Sequence, residues 1–300
     1  MTLYQQQSSN IRKTWLLVTV FLIATIGLGW FLSYYFGDPS ILYIAIAFAL
    51  VMNMVSYWSS HKIAIAVSGA KKADEIQYRD IHTMLENLCI SQGMQKPELY
   101  IIQDSAPNAF ASGRNEKNAV VAVTTGLLSV LEPNEVEGVL AHELAHIKNK
   151  DILLASMVVV LVGFIAIISD ILIRSMIFGR GGGDRDNRLG IILAIVGVVL
   201  AILSPIIAKL IQLAISRKRE YMADASAALM TRYPEGLANA LQKIENHYVT
   251  GKSPLKKGTK AMEHMYIANP FLGGKKSSLW STHPPTEKRV RALLSGQVGL

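Results

Sequence analysis

His142-Glu143-Leu144-Ala145-His146 carries the sharpest chemistry in this 300-residue chain. Residues four apart share one helix face. Two imidazoles so placed can grip one zinc ion, and Glu143, beside the first, can reach a water on the metal. This composition gives roughly 0.007 copies of the pattern by chance, so accidental helical histidines are a poor account of it. A catalytic zinc takes three protein ligands plus water. Glu220, in Arg219-Glu220-Tyr221-Met222-Ala223-Asp224, is the best third ligand. Asp224 lies one turn further on the same face, where it can accept an N–H from a ligating imidazole and fix its tautomer. The bland alternative is an acidic residue on a charged helix surface beside Arg217, Lys218 and Arg219. Asp151, five residues after His146, is either another such partner or an interfacial charge ending the polar part of the helix. His283, in Ser281-Thr282-His283-Pro284-Pro285, can donate to an oxyanion or sit near a helix cap, with Arg289 six residues on. His61, His82, His247 and His264 have no ligand spacing.

The elements that must position these groups are legible in outline. A helix is expected over 134–151, with Pro133 near its start, and another over 216–230. Further helices are expected at 74–92, 235–248 and 285–294, with Gly93 as a stop. Residues 98–103, 108–112 and 119–124 read as strands, the last two joined by a polar turn at 113–118. The short connection implies a small antiparallel sheet. Residues 250–280, rich in Gly, Lys and Ser, read as a loop. Cys89 is the only cysteine, which excludes a disulfide framework and a cysteine zinc site; it reads as a small core residue.

Hydrophobic residues make up 51% of the chain and charged residues 17%, well under the roughly 25% charged of soluble domains. Runs at 14–37, 39–60, 152–169 and 189–208 are apolar enough to cross a bilayer, which needs about 20 residues. Arg12 and Lys13 precede the first run and Asp38 follows it, which places the N-terminus in the cytoplasm. Four spans then bring residues 61–151 and 216–300 to the same side, as two parts of one domain. The loop at 174–188, with Arg174, Arg180, Arg185 and Arg188, runs against that count. Segments 152–173 and 189–215 can instead form a hairpin that does not fully cross. The net charge of +8 gathers behind the last apolar run and shows no basic stripe with interleaved aromatics, which excludes nucleic acid as a partner.

The combination H-E-L-A-H-x-x-x-x-D, R-E-Y-x-A-D and T-H-P-P-x-x-x-R, set around these apolar segments, resembles the HtpX-type membrane zinc metalloproteases, grouped with the CAAX prenyl endoproteases among the gluzincins. The resemblance runs from the first span to Arg291. It implies one zinc held by His142, His146 and Glu220, with Glu143 catalytic. It implies roles for His283 and Arg289 in the tail motif, and it matches Asn108, Ala109, Phe110 and Ala111 to a strand beside the active site, which can pair an extended substrate backbone. The fold expected is mainly α (α+β), with four transmembrane helices and a cytoplasmic zincin-like domain. The implied function is a multi-pass cell-membrane endopeptidase of stress response and quality control. It would act on misfolded or damaged membrane proteins and unfolded chains, with the bilayer and another quality-control protease as partners. The alternatives are a processing protease for a prenylated or signal-like peptide, and a zinc-binding scaffold without activity.

Overall fold

The computed structural model describes residues 3–161, 217–250, 266–267 and 284–295. The chain begins with two long helices, α1 (Leu3–Phe36) and α2 (Ser40–Ser68). Both are long and apolar enough to cross a membrane. Much of their large apolar surface is exposed, including Trp15, Ile23, Trp30, Tyr43 and Met54, as helices facing lipid require. A Cβ on Gly29 would meet the Cβ of Ala45 at 2.2 Å, so a small residue there lets the two backbones approach. Of the third expected span, 152–169, only residues 152–161 are described; the fourth, and the loop at 174–188, lie outside the described residues.

The 29 residues of α2 span about 43 Å at 1.5 Å each, against about 30 Å of hydrocarbon. The helix therefore outruns the expected boundary at Ser60. It stops only at Gly69, whose left-handed backbone returns its N–H to Ala66. Along this overhang Ala64 packs with Ile102, Phe110, Ala122, Val159 and Tyr266, which fastens the membrane helix to the sheet.

Four strands form that sheet: β1 (Lys71–Lys72), β2 (Glu98–Ile102), β3 (Ala109–Gly113) and β4 (Ala119–Thr124), in the order β1-β2-β4-β3. The expected antiparallel sheet is corrected to a mixed one. The β3–β4 hairpin is antiparallel, but β4 inserts between β2 and β3 and runs parallel to β2, with Leu99 opposite Val121 and Ile101 opposite Val123. Every residue of β3 and β4 is buried, the pattern of strands covered on both faces.

Around the sheet lie α3 (Arg79–Gln92), α4 (Thr125–Val130), α5 (Pro133–Lys148), α6 (Asp151–Leu161), α7 (Arg217–Thr231), α8 (Pro234–Val249) and α9 (Thr286–Leu294). The α3 helix starts at 79 rather than 74, because the Asp74 carboxylate accepts the N–H groups of Ile76 and Gln77 and holds a turn. Short α4 was not expected; the Thr124 hydroxyl caps it by accepting the Leu127 N–H. Glu135 starts α5 by accepting the Glu132 N–H at 2.8 Å. A Cβ on Gly138 would lie 2.7 Å from the Leu237 nitrogen, so α5 and α8 touch by their backbones. Residues Val136, Val139, Leu140, Ala141, Leu144 and Ile147 leave α5 buried on every side, at the centre of the main core. Cys89 lies in the same core, where burial pushes its thiol up to about 11.

The helix expected over 134–151 breaks. It ends at Lys148, and Lys150 adopts a left-handed φ of 58° before α6 begins at Asp151. In a continuous helix Asp151 would stand about 140° around the axis from His146. The break turns it back toward that imidazole. A left-handed non-glycine residue costs about 1–2 kcal/mol. Lys150→Gly removes that strain and adds about 0.5–1 kcal/mol of lost chain entropy, so its thermal midpoint is expected to stay level or rise slightly. Lys150→Val, branched at Cβ, is expected to lose about 1–2 kcal/mol. Thermal unfolding of the three proteins in one detergent checks the order Gly, Lys, Val.

Candidate metal centre

Two histidines of α5 meet two carboxylates of α7. His142 Nε2 and His146 Nε2 lie 3.2 Å apart. Glu220 places Oε2 3.8 Å from the first and Oε1 3.6 Å from the second. These three donors fall within 4.8 Å of one another, a spacing from which two imidazoles and a carboxylate can share one ion. Each imidazole is held from behind. Asp224 Oδ1 lies 3.0 Å from Nδ1 of His142, and Asp151 Oδ2 lies 3.0 Å from Nδ1 of His146. A carboxylate on Nδ1 keeps the proton there and leaves Nε2 as the donor to a metal. Asp151 thus takes the imidazole-partner place of its two sequence readings, and the break after α5 puts it there.

The surroundings are almost dry. His142 is 1% exposed and Asp224 is fully buried. Burial holds the His142 imidazole down to about 4, against the pull of Asp224, so the ring is neutral and free to ligate. For His146, burial also acts downward, but the Asp151 hydrogen bond and the Glu220 charge outweigh it and raise the ring to about 9. Asp224 is buried, which alone would raise it; Arg289 overrides this and holds it below the ordinary carboxylate range. The Arg289 guanidinium grips Asp224 at two points, Nε to Oδ2 at 2.8 Å and NH2 to Oδ1 at 2.6 Å. Its NH1 lies 3.7 Å from Glu220 Oε2. Removing one member of such a pair leaves an uncompensated buried charge.

Glu143, next to the first histidine, is 2% exposed. Burial raises its carboxyl to about 7, helped by the Glu220 charge and opposed by His146 and by a hydrogen bond from the Ala111 backbone. A group poised there can take and return a proton near neutral pH.

The β3 strand lies at the end of the sheet, over α5. Alternate residues of an antiparallel strand turn their backbone groups to opposite sides. Asn108 and Phe110 face β4, and Ala109, Ala111 and Gly113 face outward. On that outer edge the Ala109 carbonyl accepts the Ile267 N–H at 3.2 Å, and the Gly113 N–H reaches the Ser156 hydroxyl. The expected strand 108–112 is shifted by one residue: the Asn108 N–H goes to the Thr124 hydroxyl instead of a β4 carbonyl, and the regular ladder begins at Ala109. Phe110 packs edge-to-face on Tyr266, away from the imidazoles. His283 lies outside the described residues.

Two participants escape sequence reasoning. Arg219, a surface cation only in the alternative reading of this helix, is 7% exposed and places Nε 3.5 Å from Asp151 Oδ1. Asn10, near the start of α1, is 1% exposed and hydrogen-bonds both Asp151 and Arg219. Arg219 adjoins a ligand candidate and was within reach of the motif; no spacing in the sequence signals Asn10.

Residues 75–296 match the profile of Peptidase family M48. The Protease HtpX homolog of Caldanaerobacter subterraneus subsp. tengcongensis is 42% identical over 98% of both chains. The Protease HtpX homolog of Pyrococcus abyssi is 42% identical over 94% of both. The crystal structure of S. mikatae Ste24p aligns with 97% of this chain and 67% of its own, at a TM-score of 0.47 and 17% identity. With two membrane-length helices and a His–His–Glu cluster on the helices this profile covers, the chain belongs to peptidase family M48 and is a membrane metalloprotease related to the HtpX proteases.

Proposed function

We propose that the protein is a zinc endopeptidase of the cell membrane, with its active site on the cytoplasmic side, that cleaves misfolded or damaged membrane proteins. The observation that carries this reading is the convergence of His142 Nε2, His146 Nε2 and Glu220 beside the buried carboxyl of Glu143. The donor set suits zinc, which favours imidazole and carboxylate in a three-ligand catalytic site. A zinc ion held there supplies Lewis acidity, polarising the scissile carbonyl and acidifying water.

The chain's own residues supply the rest. Asp151 and Asp224 orient the imidazoles. Glu143 takes the proton of the attacking water and delivers it to the leaving amine. The outer edge of β3 offers backbone groups to an extended substrate, which gives affinity with little demand on sequence, as a quality-control protease needs. The Ile267 N–H on the Ala109 carbonyl is the contact a substrate strand would exchange. The cytoplasmic orientation rests on Arg12 and Lys13 ahead of the apolar run of α1 and Asp38 after it. In a Cys89→Ala background, a cysteine at position 38 is expected to react with an impermeant thiol reagent from outside the cell, and one at Asn87 only after lysis. The reverse pattern overturns the orientation.

Glu143→Gln and Glu220→Gln are expected to fail differently. Gln at 143 accepts no proton, so that variant keeps stoichiometric zinc and loses at least about 10²–10⁴-fold in turnover. Gln at 220 is a poor ligand, so zinc is lost first and activity follows, with partial recovery in excess metal. Metal analysis of both purified proteins beside a casein cleavage assay separates the two. Full zinc in Glu220→Gln would place the third ligand elsewhere.

Zinc uptake is also expected to release a proton. His146, raised to about 9 in the metal-free site, carries a proton at pH 7 that the metal must displace; His142, at about 4, does not. Affinity therefore falls about tenfold for each unit of pH lost between roughly 8 and 5, and levels off above about 9. Calorimetry at pH 7 in two buffers of different ionisation heat counts the proton. A count of zero would mean that His146 is neutral before the metal arrives.

A further inference from the structure

Asn10 sits on the first membrane-length helix, ahead of its apolar run, yet its side chain is 1% exposed and lies in the metal centre's outer network. A primary amide has two N–H donors and one carbonyl acceptor. One donor goes to the Asn149 carbonyl at 3.1 Å and the other to Asp151 Oδ1 at 2.5 Å. The amide oxygen accepts from Arg219 NH1 at 2.9 Å. These partners fix which way the amide faces, since only the nitrogen can serve two acceptors. They also divide the Asp151 carboxylate. Oδ1 is taken by Asn10 and approached by Arg219 Nε at 3.5 Å, and Oδ2 is left for His146 Nδ1 at 3.0 Å. The carboxylate is thus held on both oxygens, and the imidazole with it.

Further along the helix, past buried Thr14, an apolar cluster forms. Leu17 and Phe21 of α1 cluster with Leu154, Met157, Val158 and Leu161 of α6, the helix that Asp151 begins. Packing holds α1 against α6, and at the top of the seam Asn10 reaches into the site's outer network, with the Lys13 charge near Asp151 and Arg219. We propose that Asn10 is a positioning residue of the metal centre, setting His146 through Asp151, so that the first membrane helix is part of the metal-binding apparatus rather than only its anchor. This rests on the reading of His142, His146 and Glu220 as metal ligands.

The test uses full-length protein in detergent, stripped of metal and titrated with zinc against a competing chelator of known affinity. Asn10→Asp keeps the shape but turns a carboxylate oxygen toward Asp151 and the Asn149 carbonyl. It is expected to weaken zinc binding about 10–100-fold, the usual loss when an outer partner of a ligand is removed. Asn10→Ser, too short to reach Asp151, is the second variant should the first fold poorly, and circular dichroism reports on folding. Leu17→Ala serves as the control for helix docking alone. It is expected to lower the thermal midpoint and to leave zinc affinity within about twofold of wild type, because it touches no polar partner. In an Asp151→Asn background, adding Asn10→Asp is expected to cost clearly less affinity than it does in wild type, since the 10–151 pair can re-form with donor and acceptor exchanged and only the contact with the Asn149 carbonyl is lost. Wild-type affinity in both Asn10 variants overturns the proposal. So does an equal loss in Leu17→Ala, and so does full additivity with Asp151→Asn. A wild-type protein that binds no zinc overturns the metal reading itself and this inference with it, an outcome distinct from the other three.

Discussion

Two carboxylate–imidazole contacts, Asp224 to His142 and Asp151 to His146, set the arrangement of everything around them. A buried carboxylate is tolerated only when something answers its charge. Asp224 is answered by Arg289, which reaches on to the Ile267 carbonyl beside the outer edge of β3. Asp151 is answered by Asn10 and Arg219. Two polar chains therefore run outward from one point. The first ties α5 to α7 and α9, and the second ties α5 to α6, α7 and α1. Each helix that surrounds the central one on these sides is present because a charge in the middle needs it.

This explains what the sequence could and could not reveal. His142 with His146, and Glu220 with Asp224, are four residues apart on single helices, and a helix converts that spacing directly into a shared face. The pairing of the β3–β4 hairpin was legible because its connection is short. The parallel partner of β4 was not, since β3 separates β2 from β4 along the chain and nothing local records that the two become neighbours. Asp151 stayed ambiguous for a geometric reason: a continuous helix would have pointed it away from His146, and only the left-handed Lys150 brings it back. Arg219 had nothing in its spacing to set it apart from Arg217 and Lys218, and the fold buries it. Asn10 bonds to residues 139, 141 and 209 positions away, and such distances leave no periodicity to read.

The membrane helices belong to the same account. A transmembrane segment needs only length and apolarity, and both α1 and α2 exceed what that requires. The surplus is where they meet the protease. The end of α2 contributes Ala64 to the apolar cluster on the sheet, and the start of α1 contributes Asn10 to the polar network. Both contacts are buried, one by hydrophobic packing and one by a fully satisfied amide. The ends of the hairpin that point toward the protease thus serve as structural parts of it.

The long separations carry a consequence for the making of the protein. Arg289 meets residues 65 and 147 positions earlier in the chain. Synthesis proceeds from the N-terminus at about 5–20 residues per second, so roughly 15–55 s separate the appearance of Asn10 from that of Arg289. Throughout that interval the histidine helix exists while a counter-charge it requires has not yet been translated. The centre is closed by α9, the last of the described helices, after both N-terminal helices have had time to enter the bilayer. A growing chain therefore carries the histidines of a protease without the finished site, and competence arrives as a late event of biogenesis.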